Sequence, residues 1–134
     1  MKKLNRIIFP LLSIFIFTAC TNKPKANTGY IAAKAAKNYY KDLINGRYEK
    51  FIYGTLAENK IPESYEKQLI VSLKDFIATQ TDQHKGIKSV SINSFNLSKD
   101  EKSANVFLIL HYVDKTTEQI YVPMIRLKSK WYMR

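Results

Sequence analysis

Apolar residues along this chain change their spacing twice, and each change marks an element boundary. Ala32, Ala35, Ala36, Tyr39, Tyr40, Leu43 and Ile44 recur at intervals of three and four, with Lys34, Lys37 and Lys41 mostly off that stripe. This spacing predicts an amphipathic helix beginning near Thr28 or Gly29. Asn45-Gly46 predicts its end, because glycine accepts the left-handed backbone that closes a helix. Tyr48, Phe51, Ile52, Thr55 and Leu56 predict a second, shorter helix, weakened by Gly54. Ile61-Pro62-Glu63 opens a third: proline suits a first helical turn, and Glu63 and Glu66 complement its positive end. Tyr65, Leu69, Leu73, Phe76 and Ile77 form its stripe, and the polar run from Thr79 to Lys85 predicts a stop by about Gln80.

From Gly86 the period falls to two. Val90 and Ile92 share one parity and Phe95 and Leu97 the other, which predicts a β-bulge near Asn93-Ser94 that bends the strand. Residues 104–113 form the strongest strand. Ala104, Val106, Leu108, Leu110 and Tyr112 point one way, Phe107, Ile109 and Val113 the other, which predicts a central strand covered on both sides, at least partly. Strands at 120–127 and 131–134 follow, joined by hairpin-length loops at 98–102, 114–118 and 128–130. Helices first and strands afterwards predict an α+β domain, with helices packed on a four-stranded antiparallel sheet.

The segment before this domain carries an address. Lys2, Lys3 and Arg6 precede an uncharged run from Ile7 to Phe17, too short for the ~20 apolar residues of a membrane-spanning helix. Basic, then apolar, then small residues is the order of an export signal. It ends in Phe17-Thr18-Ala19-Cys20, which resembles a lipobox with Phe in place of the usual Leu. The only cysteine of the chain therefore stands where bacteria attach lipid. The expected organisation is a signal peptide at 1–19, lipidated Cys20 and a polar tether through Asn27, and one domain over 28–134. No acidic cluster follows Cys20, which favours a periplasm-facing anchor over surface export.

Composition acquires its meaning only after that division. The 134 residues are 46% apolar and 25% charged, with a net charge of +11. A single cysteine excludes an internal disulfide and a four-thiolate zinc site. Removing residues 1–19 takes away three bases and leaves 19 against 11 acids, or +8. Five of those bases precede Asp42, near the expected membrane. There, a basic residue contributes about 1 kcal/mol against an anionic surface, and only within a Debye length. Export and the lack of a recognition motif argue against nucleic acid.

His111, on the strongest strand at the parity of Phe107 and Ile109, is the candidate acid–base group, pointing into a cavity or the helix layer, with Asp114 or Asp75 as the carboxylate to orient it. A satisfied structural histidine is the competing reading. His84 falls in a polar loop and reads as solvated. Two histidines so far apart form no metal motif, and no cofactor is implied. Among nine tyrosines, most lie on predicted inner stripes and read as core. Tyr39, Tyr112 and Trp131 are the pocket candidates.

Three segments carry a family resemblance. Asn45-Gly46-Arg47-Tyr48-Glu49-Lys50 matches a Gly-Asp-Tyr-Glu-like corner between two helices. Ala104-Asn105-Val106-Phe107-Leu108 matches an Ala-x-Val-x-Val strand. Lys128-Ser129-Lys130-Trp131-Tyr132-Met133 matches a Gly-Lys-Trp ending, with Ser129 for glycine. Over residues 28–134 the chain resembles the nuclear-transport-factor-2-like (cystatin-like) superfamily. Within it, it resembles small Bacteroidetes-type lipoproteins of the domain-of-unknown-function family 4878. The resemblance implies a cone: a curved sheet wrapped around a helix. The superfamily holds enzymes, binding modules and dimerisation domains, so fold leaves function undecided. The reading placed first is a non-enzymatic, membrane-anchored envelope lipoprotein that binds a small ligand or an envelope protein. The alternatives are a pocket enzyme using His111 and a homodimerisation module working through the sheet.

Overall fold

The computed structural model describes residues 27–56 and 59–134. The export segment, Cys20 and nearly all of the tether therefore lie outside the described residues. Three helices come first: α1 (Thr28–Ile44), α2 (Tyr48–Leu56) and α3 (Glu63–His84). Four strands follow: β1 (Ile87–Leu97), β2 (Ser103–Tyr112), β3 (Thr117–Leu127) and β4 (Lys130–Met133). The strands pair antiparallel in sequence order, forming one curved sheet with the helices on one side.

The Asn27 side chain accepts the Gly29 N–H at 3.0 Å and caps α1. Gly46, at φ 78°, ends the helix as its position predicts. In the turn beyond, the Arg47 N–H reaches the Asp42 carbonyl at 2.8 Å, and the Arg47 Nε grips the Asp42 carboxylate at the same distance. Ala32, Ala33 and Ala36 are fully buried. Their small side chains let α1 lie close against Val106, Leu108, Leu110 and Met124, which with Val90, Val122, Trp131 and Met133 make the core. Burial of these side chains, at about 1.5–3 kcal/mol for each large one, is the main force holding helix to sheet.

Two expectations need correction and a third is refined. First, α3 continues to His84, a turn beyond the predicted stop. Thr79 and Thr81 turn their hydroxyls back onto the Asp75 and Ile77 carbonyls, so a polar sequence continues as a solvent-facing helix. The stop comes where Lys85 takes a left-handed φ of 64° and Gly86 one of 115°. Second, no residue of α3 is fully buried. Its stripe only leans on α2, where Leu69 and Leu73 meet Phe51 and Ile52, and Tyr65 and Phe76 stay exposed. Third, β2 is central as expected, fully covered on one side and only partly on the other. Ala104, Val106, Leu108, Leu110 and Tyr112 are buried, while Phe107, Ile109 and His111 are half-buried.

The bulge predicted near Asn93-Ser94 is present as a register shift between Ile92 and Ser94. A second shift, between Ile87 and Ser89, has no signal in the period-two pattern and makes Lys88 an extra residue in β1.

Candidate functional site

His111 lies on the half-exposed face of the sheet, not toward the helices. Its Nε2 is 2.7 Å from the Ser91 hydroxyl of β1. Asp114 belongs elsewhere. Its Oδ2 accepts from His84 Nδ1 at 3.0 Å, and its Oδ1 accepts the Thr116 N–H and hydroxyl at 3.0 and 2.5 Å. The Thr116 donors, with His84 adding to them, pull the Asp114 carboxyl down to about 2. The extra turn of α3 delivers His84 to this hairpin, where the Asp114 N–H also reaches the His84 carbonyl at 3.2 Å. His84 thus belongs to a placed histidine–carboxylate pair, whereas the sequence reads it as solvated. Asp75, the other proposed orienting acid, is exposed on α3, where its backbone carbonyl accepts from the Thr79 hydroxyl.

The three pocket candidates do not form one pocket. Tyr112 is 3% exposed, its ring stacked 4.0 Å from that of His84, and its hydroxyl donates to Glu118. Burial, then the hydrogen bond to Glu118, push that hydroxyl up to about 12, so it remains a donor. Tyr39 and Trp131 do meet. The Tyr39 hydroxyl donates to the Trp131 carbonyl at 2.7 Å, and Trp131 itself, 4% exposed, packs in the core as a sheet anchor. Burial raises the Tyr39 hydroxyl, with Tyr132 and Asp42 adding to it. Two shallow clefts of about 290 and 240 Å³ flank Tyr39. One takes Ile31 and Ser129 into its wall, the other Lys50 and Tyr53. Among the described residues, no cluster of three or more His, Cys, Asp or Glu could hold a metal. None of the described helices is long and apolar enough to cross a membrane.

The broadest feature is the open face of the sheet. Phe107 and Tyr121 pair across β2 and β3 with ring centroids 5.3 Å apart, and Ile109 lies beside them. Tyr121 is 55% exposed. Its hydroxyl donates to Asn105 Oδ1, whose amide donates to Asn96, and Asn93 donates to Gln119. Ser91, Ser94, Thr117 and Pro123 complete this surface by register. Among the described residues, the register places no Asp, Glu, Lys or Arg on the β1–β3 part of this face; Lys130 and Arg134, the latter opposite Pro123, border it along β4.

A helix-backed curved sheet of this order also occurs in a solved structure, that of a Campylobacter jejuni protein proposed to be an NTF2-like transpeptidase. The TM-score is 0.60 at 20% identity, over 75% of this chain and 94% of that one. The chain has the NTF2-like fold. At this identity the likeness carries architecture, and the NTF2-like fold hosts unrelated chemistries. No family model matches the chain, and no curated protein matches it significantly.

Proposed function

We propose that the chain is a lipid-anchored lipoprotein of the bacterial cell envelope, held by acyl chains on Cys20, which binds a protein partner across the open face of its sheet. The corner at Asn45–Lys50 and the Trp131 ending support the narrower likeness to the small lipoproteins of family 4878. The observation that carries the binding reading is that, among the described residues, the β1–β3 surface centred on Phe107, Ile109 and Tyr121 holds no charged residue and is bordered by charge only along β4. Depletion of charge with aromatic enrichment is the compositional mark of an interface core. Tyr121, Asn105 and Asn96, and Asn93 and Gln119, are bonded among themselves, which lowers the cost of covering them.

A photo-crosslinking residue at position 121, in cells, tests the surface. A discrete crosslinked species is expected, absent when the same residue replaces the exposed Val71 of α3. Equal, diffuse labelling at both positions would remove the reading. A species of twice the mass means a second copy; any other discrete mass means another envelope protein. Anchoring has its own test: Cys20→Ala should abolish palmitate labelling and membrane fractionation.

One observation favours a second reading, acyl transfer at Ser91. The 2.7 Å approach of Ser91 Oγ to His111 Nε2 is the spacing of a nucleophile and its base, and the Campylobacter jejuni protein is proposed to be a transpeptidase. Labelling by a serine-reactive fluorophosphonate, lost in both Ser91→Ala and His111→Ala, would establish it; an unlabelled native chain would dismiss it.

A further inference from the structure

Lys37 and Lys41 are four residues apart on α1, so their side chains lie on the same flank of its C-terminal half. Lys88 approaches from the sheet. The register between β1 and β2 slips between Ile87 and Ser89, which makes Lys88 the extra residue of a bulge. Bulges re-aim side chains out of the strict alternation of a strand. Here Ile87 still pairs opposite Tyr112 and packs on the core, while Lys88 joins the two helix lysines. The three line one cleft of about 350 Å³, at the small end of the ligand-site range. Ile44 and Val90 supply its apolar wall.

Among the described residues these lysines have no ion-pair partner. Asp42, the acid next to Lys41, is held by Arg47 at 2.8 Å. Three lysines lining one concavity raise its positive potential, which an anion held between them would relieve. A single carboxylate offers one charge and two oxygens. A phosphate group offers up to two charges and three free oxygens, which suits three convergent point charges, each with three rotatable donors. We infer that the cleft between α1 and the β1 bulge binds a terminal phosphate group, one with three free oxygens, carried by a soluble ester or by a lipid headgroup. The site is separate from the open face and stands whether or not that face binds a partner.

Lysine acetylation footprinting of the acylated full chain in nanodiscs tests this. In phosphatidylcholine discs, inorganic pyrophosphate should slow modification of Lys37, Lys41 and Lys88 about fivefold, the factor that corresponds to ~1 kcal/mol per basic group facing an anion. Lys99 and Lys102, on the far β1–β2 turn, should not change. A parallel arm replaces pyrophosphate with phosphatidic acid, a phosphate monoester, in the disc. Protection by pyrophosphate alone identifies a soluble ester, protection by phosphatidic acid alone a headgroup, and both arms together the terminal phosphate whatever carries it. In Lys37→Gln, a change at a half-buried position that keeps a long polar side chain and should leave the circular dichroism spectrum intact, protection at Lys41 and Lys88 should fall. The inference is overturned if neither arm protects the three lysines, if Lys99 and Lys102 are protected equally, or if Lys37→Gln leaves the other two unaffected.

Discussion

Gly54 lies within α2, where an alanine would ordinarily help: glycine in a helix interior costs about 1 kcal/mol relative to alanine. The packing reverses that expectation. A Cβ at position 54 would lie 2.5 Å from two ring carbons of Tyr39 and 2.9 Å from a third, well inside contact distance. The ring cannot simply withdraw, because its hydroxyl is held by the Trp131 carbonyl at 2.7 Å. Relief requires a shift of α2, at about 1–3 kcal/mol for overpacking, or release of the hydrogen bond, at about 1 kcal/mol. Set against the helical gain, Gly54→Ala should destabilise the domain by up to about 2 kcal/mol. That corresponds to a fall in Tm of up to roughly 16 °C for a domain of this size. Thermal and urea unfolding measure it. A double-mutant cycle isolates the cause: in a Tyr39→Ala background, Gly54→Ala should be neutral or stabilising, with a coupling of about 2 kcal/mol. A rise in Tm on Gly54→Ala alone would refute the close approach of α1 and α2 on which the argument rests.

Two further outcomes follow from local geometry. Lys128 and Ser129 turn β3 into β4 with φ of 49° and 66°, the left-handed pair of a tight hairpin, which costs an L-residue about 1–2 kcal/mol. Ser129→Gly removes that strain at one position, partly offset by glycine's greater unfolded freedom, so stability should rise by about 0.5–1 kcal/mol. A lower urea midpoint would contradict the turn assignment. Asp114 is lowered from 3.8 to about 2 in the folded chain. A depressed carboxyl stabilises the fold above its unfolded value, and that contribution is lost as pH falls through the folded value. The stability gap between the native chain and Asp114→Asn should therefore be full above about pH 4 and close toward pH 2, as followed by urea unfolding at each pH. A gap that stays constant from pH 6 to pH 2 would show that the Thr116 and His84 contacts do not hold the carboxylate in solution.

Much of the architecture is legible in the order of residues. The three-four spacing in α1, the Asn45-Gly46 stop, the proline entry to α3 and the parity change in β1 are local signals, and each reports which side of its own element is apolar. That is why the α+β arrangement, the bulge near Asn93 and the burial of Trp131 can be read without coordinates. The expected lipid anchor at Cys20 is also a statement of local order, made by the sequence alone.

Which elements meet is a different matter, because it depends on pairs far apart in the chain. Apolar residues on both parities of β2 cannot say whether a second layer covers Phe107 and Ile109, and here that face remains open. Nothing near Asp114 in sequence marks His84, thirty positions away, as its partner; a polar extra turn of α3 carries it there. Lys88 joins Lys37 and Lys41 because a bulge adds one residue to an edge strand, a change that the alternation of a single strand does not record. The sequence by itself determined the elements, their apolar faces and the expected export address. Tertiary packing decided which face stays exposed, which carboxylate answers which histidine, and where three unpaired lysines converge, since each is set by contacts between segments and not by the pattern within one.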